Sequence, residues 1–149
     1  MTMLYVDTSA LVRAYMADET GHDALVELLR TGRETVATSS LTVVEAASAF
    51  RLAVRSGRLT EREGRSLLDT LEHDLGPEGM IGVFTFDVER ALTRARLLLL
   101  RHPLRTLDAL HLAIAEHEGQ QLAAGEPLVF VTRDQGQRDA AQALGFPMA

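Results

Sequence analysis

Two short, unbroken apolar runs stand out along the chain, MLYV at Met3–Val6 and LVFV at Leu128–Val131, each bounded by polar residues. Strands covered by helices on both faces read this way, because neither face has to be polar. TVATS at 35–39 and IGVFTF at 81–86 predict two weaker strands. FPM at 146–148 is placed as a short edge strand, where a proline without an N–H is tolerated. Between these runs the apolar spacing turns helical. Leu25, Leu28 and Leu29 define one face near 20–31, and Val43, Val44, Ala47 and the run from Phe50 to Val54 define another. Thr60 and Glu63 form a capping box ahead of Leu67, Leu68 and Leu71. Asp87 opens a helix that runs to about Arg101 and stops at His102-Pro103, since the residue before proline avoids helical geometry. Thr106 is placed as the cap of a helix carrying Leu107, Leu110 and Ile114, and Asp134 opens the last one.

Strands alternating with helices imply an α/β domain with a mainly parallel sheet of four to five strands, spanning 1–149. Ligands of such sheets bind beyond the carboxyl ends of the strands. Four acids fall there. Asp7 follows the first strand, Asp134 follows "FVTR" at the end of the fourth, Glu45 lies early in the helix after TVATS, and Asp108 sits in the first turn of its own helix. Taken singly, each has an ordinary explanation. Asp7 could cap the helix starting near Ser9, Thr42 with Glu45 and Asp134 with Gln137 fit capping boxes, and Asp108 suits a helix dipole. Together they bring four carboxylates to one edge, where like charges raise one another's pKa or require a cation between them.

Composition narrows the chemistry. There is no cysteine, which removes disulfides, thiolate metal sites and cysteine catalysis, and fits a reducing cytoplasm. No apolar run is long enough for a bilayer and the N-terminus lacks the pattern of a secretory signal, so no membrane partner is expected. A net charge of −6 argues against a simple basic nucleic-acid binder, but leaves room for an acidic site screened by metal. Oxygen ligands without cysteine or paired histidines suit Mg²⁺ or Mn²⁺ rather than zinc. All 15 basic residues are arginine, which is read as genome composition.

The segments YVDTSAL, SSLTVVEAASAF, RTLDALHLAIA and VFVTRD, in this order and spacing, make the whole chain resemble a PIN domain, most closely the VapC-type toxins of toxin–antitoxin modules. The resemblance implies a Mg²⁺- or Mn²⁺-dependent endoribonuclease whose acids are Asp7, Glu45, Asp108 and Asp134, leaving a 5′-phosphate and a 3′-hydroxyl. On that reading Asp7 and Asp108 are the most direct metal ligands, and Asp134 and Glu45 hold a second ion or act through water. The family's polar residue after the first acid maps onto Thr8 or Ser9, and Ser9 and Thr132 orient carboxylates or waters. It further implies a homodimer and a VapB-type antitoxin partner that wraps the toxin and inserts a basic residue into the acidic site.

Arg105 and Arg133 flank the acids and are the candidate phosphate contacts. Arg51, Arg55, Arg58, Arg62 and Arg65 read as solvated, with an RNA-guiding rim as the alternative. His111, three residues after Asp108, could orient a ligand or contact RNA, but the preferred reading is that it packs against the sheet and bonds locally, while His22, His73, His102 and His117 are placed on the surface. The apolar residues near 43–54 and 60–71 are either core or a groove for the antitoxin or a second copy. A haloacid-dehalogenase-type phosphatase would need an aspartate where Ser9 stands, a receiver domain would need a lysine, and a dinucleotide fold would need G-x-G-x-x-G where DTSALV stands. The remaining rival is a non-catalytic PIN-like module that binds RNA or protein.

Overall fold

The computed structural model describes all of residues 1–149. The chain runs β1 (Met3–Val6), α1 (Thr8–Tyr15), α2 (His22–Arg30), β2 (Thr35–Ser39), α3 (Ser40–Arg55), α4 (Glu61–Asp74), β3 (Ile81–Phe84), α5 (Val88–Leu99) and α6 (Thr106–Ile114). A π-helical turn, Ala115–Gly119, carries α6 into α7 (Gln120–Ala123), followed by β4 (Leu128–Val131) and α8 (Gln135–Ala143). The strands form one parallel sheet in the order β3-β2-β1-β4.

β1 is central, and its side chains explain its unbroken apolar run. Met3 and Tyr5 enter one core with Leu98 of α5, Leu112 of α6 and Ala141 of α8. Leu4 and Val6 enter a second core with Leu11 of α1, Leu25 of α2, Phe50 of α3 and Leu71 of α4. Successive strand residues point to opposite faces, so a strand between two cores has no place for a polar residue. In-register pairing of Val6 with Val131 and of Ser39 with Phe84 then aligns the carboxyl ends of the strands along one edge. No helix is long and apolar enough to cross a membrane.

Three local expectations change. FPM forms a single parallel bridge, Phe130 with Met148, rather than a strand; Phe130 N–H donates to the Pro147 carbonyl, and Pro147 has no N–H with which to extend the pairing. The capping box at Thr42 and Glu45 does not form. The helix starts earlier, at Ser40, with Ser39 at its N-cap, and the buried Thr42 hydroxyl accepts from Thr38. Arg105, not Thr106, occupies the N-cap of α6. The caps at Asp7 and Asp87 and the Thr60–Glu63 box form as read. Apolar residues of α3 and α4 are chiefly core, with Val44 and Leu52 left exposed.

Leu112 is fully enclosed between α6 and the sheet. Leu112→Ala is expected to lower stability by about 2–5 kcal/mol through lost burial and the cavity left behind, read as a shifted urea midpoint.

Candidate active site

Asp7 lies at the β1–α1 junction. Its backbone N–H extends the ladder to Val131, and its side chain caps α1 by accepting from the Ala10 N–H at 3.0 Å. Ser9 Oγ donates at 2.8 Å to Oδ1, with 3.0 Å to Oδ2, and Thr132 Oγ1, just past β4, stands 3.0 Å from Oδ2. Only 2% of Asp7 is exposed, and every one of these donors is neutral. Burial therefore pushes its pKa above the ordinary aspartate value, an effect that the His111 charge and the hydrogen bonds only partly oppose.

Asp134 and Asp108 share a cation. Arg105 donates to Asp108 at 3.2 Å and to Asp134 at 3.3 Å from a largely exposed side chain. Asp134 also caps α8, accepting from Gln137 N–H at 2.8 Å, and its own N–H donates to Thr132 Oγ1. The expected return bond from the Gln137 side chain is not made. Gln137 is buried, accepts from Thr132 at 2.7 Å and donates to the Asp108 carbonyl at 3.2 Å, binding α8 to α6 and β4.

Glu45 reaches the same edge from α3, supported by a buried chain of polar groups. Thr8 Oγ1 donates to its Oε1 at 2.9 Å, and His111 Nε2 lies 2.5 Å from the same oxygen. His111 Nδ1 lies 2.8 Å from the Tyr5 hydroxyl, which also stands 3.3 Å from Ser39 Oγ. His111 Nε2 carries its proton toward Glu45, whose carboxylate oxygen can only accept. Burial holds the Tyr5 phenol neutral, far above its ordinary pKa. Burial also pushes Glu45 up, but the His111 bond and charge, Thr8 and Arg105 outweigh it, and its pKa lies below the ordinary glutamate value.

All four sequence-derived acids thus lie along the carboxyl edge, with Ser9 and Thr132 between Asp7 and Asp134. No three His, Asp or Glu side chains stand together closely enough to form a complete metal shell; Arg105 bridges two of the acids instead. The donor set itself, carboxylate and hydroxyl oxygens around a buried carboxylate with only neutral donors, suits a hard divalent cation. His111 packs against the sheet as expected, but its hydrogen bonds are not local: they reach Tyr5, Thr8 and Glu45, 66 to 106 residues away. Tyr5, Ser39 and Gln137 join the site without having been candidates for it, and Thr8 and Ser9, the two candidates for the polar residue after the first acid, both take part. Tyr5, Ser39 and Gln137 resembled ordinary strand or cap positions.

The Arg133 side chain folds onto the Thr132 carbonyl, and it lines an open cavity with Asp134, Gln135 and Arg138. Burial, with Arg138 and Arg13 nearby, pulls its pKa down. Arg51 pairs with Glu61, and Arg58 with Asp18 and Glu19, whereas Arg55, Arg62 and Arg65 are exposed. His73 and His117 are exposed as expected; His22 and His102 are half-buried, and His22 bonds the Arg13 carbonyl.

A parallel α/β sheet with acids gathered at its carboxyl edge defines the class of this protein. The profile of the PIN domain matches residues 4–143, and the chain belongs to that family. It is 34% identical over 146 residues, 98% of its length and 95% of the relative's, to Ribonuclease VapC46 of Mycobacterium tuberculosis. Solved structures agree in fold. VapC20 of Mycobacterium tuberculosis, described as a sarcin-ricin loop cleaving toxin, superposes with TM-score 0.65 at 20% identity, covering 96% of this chain and 95% of that one. VapBC2 of Rickettsia felis, solved bound to a fragment of its promoter DNA, gives 0.63 at 15% identity, covering 99% and 97%. PAE2754 of Pyrobaculum aerophilum gives 0.61 at 20% identity, covering 99% and 89%.

Folding raises the Asp7 pKa, so the stability linked to it is fully present below the ordinary aspartate pKa and is lost as pH rises through the raised value. In EDTA, Asp7→Asn is expected to be more stable than wild type at neutral pH, with the advantage shrinking toward pH roughly 4. Thermal melts across this range check it, and a wild type that stays the more stable at neutral pH would contradict the uncompensated buried charge.

Proposed function

We propose that the chain is a Mg²⁺- or Mn²⁺-dependent endoribonuclease, the toxin of a type II toxin–antitoxin module. The observation that carries this reading is the buried Asp7 carboxylate, hydrogen-bonded only to neutral donors, with Asp108, Asp134 and Glu45 along the same sheet edge. The 34% identity to a ribonuclease along nearly the whole chain supports it.

Asp7 and Asp108 would hold the ion most directly, and Asp134 and Glu45 would bind a second ion or act through water. When bound, a divalent ion would activate water and neutralise charge on the scissile phosphodiester. Ser9 orients the Asp7 carboxylate by donating to it, and Thr132 packs its hydroxyl against the second carboxylate oxygen. Arg105, whose exposed ion pairs are weak, can leave Asp108 and Asp134 for an RNA phosphate, and Arg133 offers a second guanidinium beside them. A VapB-type antitoxin is the proposed partner, as in the VapBC2 assembly of Rickettsia felis. Val44 and Leu52 on α3, with Val88 and Leu92 on α5, remain exposed and suit coverage by the antitoxin or a second copy. The proposed place of action is the cytoplasm, and the proposed free state is a homodimer.

Purified protein is expected to cleave RNA with Mg²⁺ or Mn²⁺ and to stop in EDTA. Asp7→Asn and Asp108→Asn are expected to reduce cleavage to background with circular dichroism unchanged. RNA binding without cleavage would point to a binding module, and wild-type cleavage by Asp108→Asn would overturn the assignment. Light scattering of the isolated protein is expected to give twice the 16.3 kDa chain mass, and a monomer would remove the homodimer.

A further inference from the structure

We propose that His111 is the positioning residue for Glu45, with Tyr5 as its anchor; this rests on the ribonuclease reading above. Three polar groups form a line beneath the site, Tyr5 hydroxyl, His111 ring and Glu45 carboxylate, joined at 2.8 and 2.5 Å. Tyr5 and His111 are essentially inaccessible to solvent. Thr8 completes the arrangement by donating to the same Glu45 oxygen that faces His111. Both contacts fall on Oε1, and Oε2 has no protein partner, so the carboxylate is held by one oxygen and presents the other.

The packing makes this hold rigid. The Tyr5 ring is stacked on Phe130 at 5.4 Å and tilted against Phe84 at 5.9 Å, so its hydroxyl is a fixed point for His111 Nδ1. His111 and Asp108 share α6 three residues apart, and therefore one face of one helix. Seating His111 on Tyr5 thus sets the distance between Asp108 on α6 and Glu45 on α3. Stability alone does not ask for such a network, since apolar groups of the same shape are often as stable as a buried hydrogen-bonded pair. An oriented carboxylate does ask for it.

The test combines Mn²⁺ binding by titration calorimetry with RNA cleavage kinetics. His111→Ala is expected to weaken Mn²⁺ binding by about 10–100-fold, as loss of a group orienting a metal ligand does, and to lower kcat with KM for RNA near wild type. His111→Gln, whose amide N–H can reach Glu45, is expected to recover part of both. Tyr5→Phe keeps the ring stacking and is expected to fold normally with a smaller loss in both measurements. If His111 acts through Glu45, Glu45→Gln combined with His111→Ala is no worse than Glu45→Gln alone. Additive losses overturn the proposal, as do wild-type Mn²⁺ affinity in folded His111→Ala, wild-type behaviour of Tyr5→Phe, or the absence of Mn²⁺ binding by the wild-type protein. Wild-type protein that binds Mn²⁺ but does not cut RNA refutes the ribonuclease reading instead, and the binding measurements still decide the role of His111.

Discussion

Asp7 is a carboxylate enclosed where β1 turns into α1, and the geometry of the whole edge follows from how that charge is accommodated. Water cannot solvate it and no arginine pairs with it. Its donors are the first turn of α1 and Ser9, with the Thr132 hydroxyl, just past the neighbouring strand, against its second oxygen. Those bonds have structural consequences beyond Asp7. Ser9 Oγ also accepts from the Arg133 N–H, and Thr132 Oγ1 from the Asp134 N–H. The turn after β4 is therefore shaped by the same hydroxyls that serve Asp7, and Asp134 is brought to the edge as a result.

The remaining acids are held in two ways with different consequences. Asp108 and Asp134 meet through Arg105 at the surface, where solvent screening keeps ion pairs worth little and easily exchanged. Glu45, itself partly exposed, is held from below by His111 and Thr8, and beneath it Tyr5 and His111 are closed to water, where a completed polar network is stiff and an incomplete one is costly. Every buried side-chain nitrogen and oxygen has a partner, which is the condition for such a network to persist. Helix α6 serves both arrangements, with Asp108 at its exposed start and His111 one turn further in. Gln137 adds a third tie by bonding the Asp108 carbonyl from α8.

Much of the architecture is legible in one dimension because burial on two faces leaves a local trace. MLYV and LVFV are apolar at every position for that reason, and their ends mark where Asp7 and Asp134 must lie. The acids near residues 45 and 108 are recognisable from LTVVEAASAF and RTLDALHLA. Details that depend on competing partners are not legible. Thr42 and Glu45 have the spacing of a capping box, but Thr38 takes the threonine, and His111 with Thr8 takes the glutamate. Gln137 has the spacing to return a bond to Asp134, yet its amide is buried and answers to Thr132 and α6.

By itself the sequence determined the alternation of strands and helices, the edge on which ligands would bind, and the four acids placed along it, because periodicity and strand ends are local properties. Tertiary structure alone decided how those acids are held. It set Thr8 and His111 on Glu45, Tyr5 and Ser39 behind His111, and Arg105 between Asp108 and Asp134. Except for Arg105 with Asp108, those contacts join residues far apart in the chain, and a polar group takes whichever partner the packing brings within reach.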